Sequence, residues 1–134
     1  MKMSTSPKFL NLDVVLKSNS ALDALVRHLD QDERVMVLSH HESAGQFVLV
    51  FELSYEGPDP TPRSCTQRLL VIIDQFPDAM LELWKGCTSR SFDYGFDGGN
   101  DYPALETTVP ADLLIRIGQI GADIGMTVYP YRPD

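Results

Sequence analysis

The 134-residue sequence has little of several features that define common protein classes. It contains only two cysteines, Cys65 and Cys87, and its first residues hold no apolar stretch of the kind found in a secretory signal. We therefore expect a cytoplasmic protein whose two thiols are reduced and buried. No run approaches the roughly 20 apolar residues that a membrane-spanning helix needs, so we expect no membrane partner.

Basic residues are also scarce, since 11 lysines and arginines stand against 19 acids, for a formal net charge of −8. Residues 69–115 contain eight acids and only two bases, Lys85 and Arg90. Most of the net charge therefore falls in about one third of the sequence. The negative electrostatic field of such a protein repels nucleic acid and anionic membranes, and it favours association with a basic protein.

Motifs that carry a known reaction are missing as well. The chain has no HExxH, CxxC or GxxxxGK[ST] pattern, so we expect no catalytic residue, no metal ion and no cofactor. One alternative stays open, a small metal-dependent hydrolase that uses His40, His41 and the Asp93/Asp97 pair. Against it, neighbouring residues of a strand point to opposite faces, so the two histidines do not easily converge on one ion.

The sequence does contain a succession of periodic segments. Alternation of apolar and polar residues predicts strands over 9–17, 35–39, 47–55 and 89–97, and a last strand near 124–128. Helical periodicity predicts helices over about 22–29, from about 63, over 78–85 and after Pro110. Ser20 and Asp23 fit a capping box, Thr61 is a candidate helix cap, and residues 40–46 read as a hairpin connection.

The order β-α-β-β-α-(α)-β-α-β predicts an α+β fold. Its first six main elements match a split, ferredoxin-like βαββαβ core, with a helix and a strand added at the C-terminus. We expect a two-layer sandwich in which one mostly antiparallel sheet carries helices on one face. Residues 1–8 are expected to be a disordered tail, and residues 9–134 a single domain.

The surplus of acids predicts a docking surface on one outward side of this sandwich. Exposed aromatic side chains are favoured anchors at interfaces, and one is included with the acids. The predicted partner-binding residues are Asp74, Asp78, Glu82, Asp93, Asp97, Asp101, Tyr102 and Glu106. A homo-oligomer that pairs through an exposed edge strand is a weaker alternative.

The C-terminal third carries a resemblance. The residues Val109, Pro110, Ala111 and Asp112, then Gly121, then Thr127, Val128 and Tyr129, resemble the ending of a family of small bacterial α+β domains of unknown function. The resemblance implies a proline-capped helix, a glycine stop and a final strand that ends in tyrosine. It also implies an immunity-protein-like or antitoxin-like role in competition between bacteria, with no catalytic residues. We therefore expect a non-enzymatic acidic module that neutralises a basic protein.

Overall fold

The computed structural model describes residues 4–132, which form one five-stranded mixed sheet and four helices. The elements are β1 (Lys8–Ser18), α1 (Asp23–Asp30), β2 (Val35–Ser43), β3 (Gln46–Leu53), α2 (Pro62–Asp74), α3 (Asp78–Lys85), β4 (Ser89–Asp97), α4 (Ala111–Gln119) and β5 (Asp123–Tyr129). The strand order is β2-β3-β1-β4-β5. All pairings are antiparallel except that of β4 with β5, which is parallel. The expected α+β class is confirmed, and the open sheet fits the expected sandwich.

Alternate residues of the three central strands form the core. Leu12, Val14 and Leu16 of β1 are buried, while the residues between them lie on the other face of the sheet. Their apolar cross-strand neighbours on β3 and β4 are also fully buried, and apolar residues of the helices pack on this face; the β4 neighbour of Leu16 is the half-buried Arg90. Each such leucine contributes about 2 kcal/mol through burial, so this face fixes the register of the sheet.

Local sequence signals determine the start of α2. The Thr61 hydroxyl accepts a hydrogen bond from the Ser64 amide at 3.0 Å, and the Ser64 hydroxyl accepts one from the Thr61 amide at 3.2 Å. Pro62 occupies the first turn, where its missing N–H costs nothing. The predicted cap is confirmed. Helix α2 ends at Asp74, before Pro77, and α3 ends at Lys85, before Gly86.

Three local predictions need correction. Ser20 does not cap α1, which begins after Leu22 without a side-chain cap, because the Ser20 amide instead donates to Ser18. Strand β2 extends to Ser43, and the hairpin turn consists of two residues, Ala44 and Gly45, both with positive φ. The two histidines therefore belong to the strand and not to the connection.

The expected N-terminal tail is ordered over its described part. The Thr5 amide donates to the Asn100 side chain at 2.7 Å, and the Ser6 hydroxyl donates to the Tyr102 carbonyl at 2.6 Å. Strand β1 then begins at Lys8. Residues 1–3 and 133–134 lie outside the described residues.

A single arginine ties the C-terminal elements together. Arg90 donates from Nη1 to the carbonyls of Trp84 and Cys87, and from Nε to the carbonyl of Gly121 at 2.9 Å. The Trp84 indole donates to the Ile120 carbonyl at 2.8 Å. The end of α3 and the connection from α4 to β5 are therefore held against β4, and this arrangement positions β5 at the edge of the sheet.

Both cysteines are free and buried, as expected, and burial raises the pKa of each thiol. None of the helices formed by residues 4–132 is sufficiently long and apolar to cross a bilayer.

Candidate functional site

The eight predicted partner-binding residues do not share one surface. Asp74, Asp78 and Glu82 lie on α2 and α3, in the helix layer. Asp74 is already engaged, since the Arg116 guanidinium donates to its carboxylate at 2.6 Å. Asp93 lies on β4 between the buried Phe92 and Tyr94, so its side chain is on the opposite face of the sheet.

The other four residues belong to one region, the end of β4 and the loop that follows it. The Asp97 carboxylate accepts a hydrogen bond from the Gly99 amide at 2.8 Å. The Asp101 carboxylate accepts one from the Tyr102 amide, and this bond lowers the pKa of Asp101 below its ordinary value. Tyr102 is 88% exposed, as expected for an anchor, whereas Trp84 and Tyr94 belong to the core. Glu106 is exposed further along the same loop.

This loop forms one wall of an apolar groove along the helix side of β5, which we call the β5 groove. It comprises two adjoining depressions of about 610 Å³ and about 290 Å³ that share Phe96, Thr107 and Met126. Its other apolar lining residues include Tyr94, Leu105, Val109, Leu114, Ile124 and Val128. Asp97 and Glu106 line the larger depression, so the groove has an apolar floor and acids at its rim.

Strand β5 contributes unusually exposed apolar side chains to this groove. Ile124, Met126 and Val128 face the helix side of the sheet, yet they are 40%, 72% and 64% exposed. Leu114 and Ile115 of α4 are also exposed. A contiguous exposed apolar surface rimmed by polar residues is typical of an interaction site, whereas scattered exposed apolar residues are ordinary.

The face of the sheet that carries no helices holds a row of carboxylates. Asp13 of β1 stands directly between Glu52 of β3 and Asp93 of β4 in the register of the sheet. The Asn11 side-chain amide donates to Asp13 at 3.2 Å and to Glu52 at 3.0 Å. The Thr127 hydroxyl donates to Asp93 at 3.1 Å. We call these three acids the carboxylate row.

Like charges side by side change the protonation of the row. Burial first, and then the hydrogen bond and the charge of Glu52, raise the pKa of Asp13 from 3.8 to about 7. Asp13 therefore retains its proton closer to neutrality than an ordinary carboxyl group does, so the row carries less than its full formal charge there. Residues 4–132 contain no group of three or more histidine, cysteine or acidic side chains arranged to hold a metal ion.

The residues of the alternative hydrolase site do not converge. His40 and His41 lie on β2, at one edge of the sheet, while Asp93 and Asp97 lie on β4. Strands β3 and β1 separate them, a distance of about 14 Å across three strand spacings. The nearest acid to His40 is Asp23 of α1, at 3.9 Å from Nδ1, and the buried Nε2 of His40 has no hydrogen-bond partner.

A further depression, of about 240 Å³, lies between α2 and the start of β2 and is lined by Arg34 and Arg68. Both guanidinium groups are already engaged. Arg34 is paired with Asp32 at 2.7 Å, and Arg68 donates to the Tyr55 carbonyl at 2.7 Å. Because these two guanidinium groups are already engaged, we favour the β5 groove over this depression as the candidate binding site.

Sequence reasoning missed the apolar part of the site. It identified Asp97, Asp101, Tyr102 and Glu106, but it assigned Ile124, Met126 and Val128 only to a final strand. Their alternation places them on one face of β5, whereas their exposure depends on the position of β5 at the edge of the sheet.

Comparison of the chain with protein-family models, with curated proteins and with solved structures finds no match.

Proposed function

We propose that this protein is a non-enzymatic binding module that docks a basic protein at the β5 groove. The observation that carries the proposal is the exposure of apolar side chains on β5 beside an acidic rim. Apolar contacts supply most of the affinity at an interface, and complementary charge sets the rate and the choice of partner. The formal net charge of −8 extends the attraction beyond the groove itself.

Immunity-type neutralisation of a basic toxin is one concrete form of this function. It is supported by the resemblance of the C-terminal third, whose final strand is the strand that lines the groove. It is also consistent with the acids of the rim, because inhibitors of basic enzymes use complementary charge to associate quickly.

We also propose that the first four strands are a ferredoxin-like core. Their order is β4-β1-β3-β2, all neighbours are antiparallel, and the chain runs β-α-β-β-α before β4 with only α3 inserted. In this description, α4 and β5 are added to the ferredoxin-like core at the β4 edge of its sheet, and β5 lines the docking surface, the β5 groove.

Selection of a random linear peptide library against the protein tests the docking function. We expect the selected pool to be enriched in lysine and arginine, and to shift amide resonances of residues 96–107 and 124–128. Reversal of charge by Asp97→Lys or Glu106→Lys weakens binding of the selected peptides, and so does added salt. Glu42→Lys, at an exposed position of the opposite edge strand β2, is the matched control.

Two results contradict the proposal. One is a selected pool with no excess of basic residues. The other is binding that survives both charge reversals and Met126→Lys, with resonance shifts on another surface.

A further inference from the structure

The outer edge of β5 is a strand without a neighbour, because the order of the sheet within residues 4–132 ends there. An edge strand presents unpaired backbone N–H and C=O groups, and proteins usually blunt such edges with bulges, charges or proline. The opposite edge, β2, is blunted in this way, since its register shifts between Val37 and Ser39 and it ends in polar residues. Strand β5 pairs regularly with β4 from Asp123 to Tyr129 and contains neither lysine nor proline.

We propose that a basic partner protein adds an extended segment to this edge as a sixth strand of the sheet. This inference rests on the proposed function and specifies how the partner binds. Successive side chains of a strand point to opposite faces. Every second side chain of the segment therefore lies beside Ile124, Met126 and Val128, in the β5 groove, and these positions are apolar.

The other positions of the segment lie on the face that carries the carboxylate row. Gly125 has no side chain, and a Cβ at that position would stand 3.5 Å from the carboxylate of Asp93. Thr127 holds this carboxylate in place at 3.1 Å. The Asp93 carboxylate thus lies about one strand spacing from a residue of the added strand opposite Gly125. The stem of a lysine or arginine at that position is long enough to cover this distance, and no side chain of Gly125 stands in its path. Asp123 offers a second acid on the same face.

Charge decides between this occupant and a second copy of the same chain. Two copies paired through β5 bring together two molecules of formal net charge −8, and β5 contributes an acid but no base. Such pairing places like charges close to each other, which costs free energy. A segment that alternates basic and apolar residues satisfies both faces of β5 at once.

Three synthetic peptides test the mode of binding. The first alternates valine and lysine, the second has the same composition with its lysines in one block, and the third replaces the lysines of the first with norleucine. We expect the alternating lysine peptide to bind, and to slow hydrogen exchange of the β5 amides. We expect the block peptide to bind about tenfold more weakly or not at all.

N-methylation of the alternating peptide tests the backbone pairing. Only alternate amides of an added strand face β5, and the others point away. A peptide methylated on one alternate set therefore loses binding, while the peptide methylated on the other set retains it. Equal loss from both sets, or no loss from either, contradicts strand addition.

Two pairs of matched variants locate the site. Met126→Lys is expected to weaken binding about tenfold, while Met36→Lys, on the opposite edge strand, changes it less than about twofold. Asp93→Asn weakens binding of the lysine peptide and leaves the norleucine peptide unaffected, while Asp78→Asn in the helix layer weakens neither. Similar effects from both members of either pair overturn the assignment.

The failure of this inference is distinguishable from failure of the proposed function. If selected peptides shift the resonances of the β5 groove but do not protect the β5 amides, the partner docks there without adding a strand. If sedimentation shows a stable dimer of the protein that binds none of the peptides, the edge belongs to a second copy and the inference is wrong.

Discussion

Replacement of Asp13 by asparagine is expected to stabilise the protein at neutral and higher pH. The carboxyl group of Asp13 lies between two other acids on the open face of the sheet, and its pKa is raised from 3.8 to about 7. Asparagine has the same shape, its carbonyl can still accept from Asn11, and its amide can donate to Glu52. The substitution therefore removes the charge and retains the hydrogen bonds.

The magnitude follows from the shift of the pKa. Between pH 3.8 and about pH 7 the folded protein retains a proton that the unfolded chain releases, so stability falls as pH rises through that window. At about 1.4 kcal/mol for each pH unit, the full shift sets a ceiling of about 4 kcal/mol. Because the face is partly open to solvent, which screens the charges, we expect Asp13→Asn to gain about 1–2 kcal/mol above pH 7.

Urea unfolding from about pH 4 to about pH 8 measures this effect. The free energies of unfolding of the variant and the wild type should differ least near pH 4, where Asp13 is protonated in the folded protein and about half protonated in the unfolded chain. They should diverge as pH rises, with the variant more stable. Asp59→Asn, on an exposed loop, is the control. A difference that is constant with pH, or a variant that is less stable at pH 8, refutes the reasoning.

Four further substitutions test the packing around the sheet by urea unfolding. Gly95→Ala places a Cβ 2.5 Å from the Asn11 side-chain oxygen, so that side chain must rotate away from the carboxylate row, at a cost of about 1–2 kcal/mol. Gly125→Ala meets only ordinary contacts and should change stability by less than about 0.5 kcal/mol. Tyr94→Phe removes a buried hydroxyl that lies 2.6 Å from a threonine hydroxyl, and should cost about 1 kcal/mol. Arg90→Met leaves carbonyls of the α3 end and the α4–β5 connection without their donor, and should cost about 2 kcal/mol.

Elements with a strong local signal could be predicted from the sequence. The strand over 89–97 has the predicted bounds, because its apolar residues alternate without interruption and glycines follow it. The start of α2 was predictable for a similar reason, since Thr61 and Pro62 act through contacts within one helical turn. In both cases the information lies within a few neighbouring residues.

Strand β2 illustrates why other bounds were not predictable. Its second half, from the half-buried His40 to the exposed Ser43, is polar and lies at an edge, so it lacks the alternation that marks a half-buried strand. Its conformation comes from pairing with the apolar β3, whose register reaches Ser43 opposite Gln46. Pairing between strands overrode the local preference for a loop.

The acidic surface depends on contacts that are distant in the sequence. Asp13 and Glu52 were not among the predicted site residues, because only the register of β1 between β3 and β4 brings them beside Asp93. The same sheet separates Asp93 from the acids of α2 and α3. A surplus of charge along the chain therefore predicted an acidic protein, but not which acids would share a surface.

The charges around β5 disfavour pairing of its apolar edge with a second copy of the same chain. Apolar edge strands favour pairing with a like strand, and most proteins prevent this by changing the edge itself, as β2 does. On β5 the backbone and the apolar face remain open, while Asp123 and Asp93 on the helix-free face and Asp97 and Glu106 at the end of the groove place negative charge around them. Repulsion of this kind acts against another acidic chain but attracts a basic one. In the proposed complex, the acids would provide selectivity for the partner, and the apolar edge would provide the contact area.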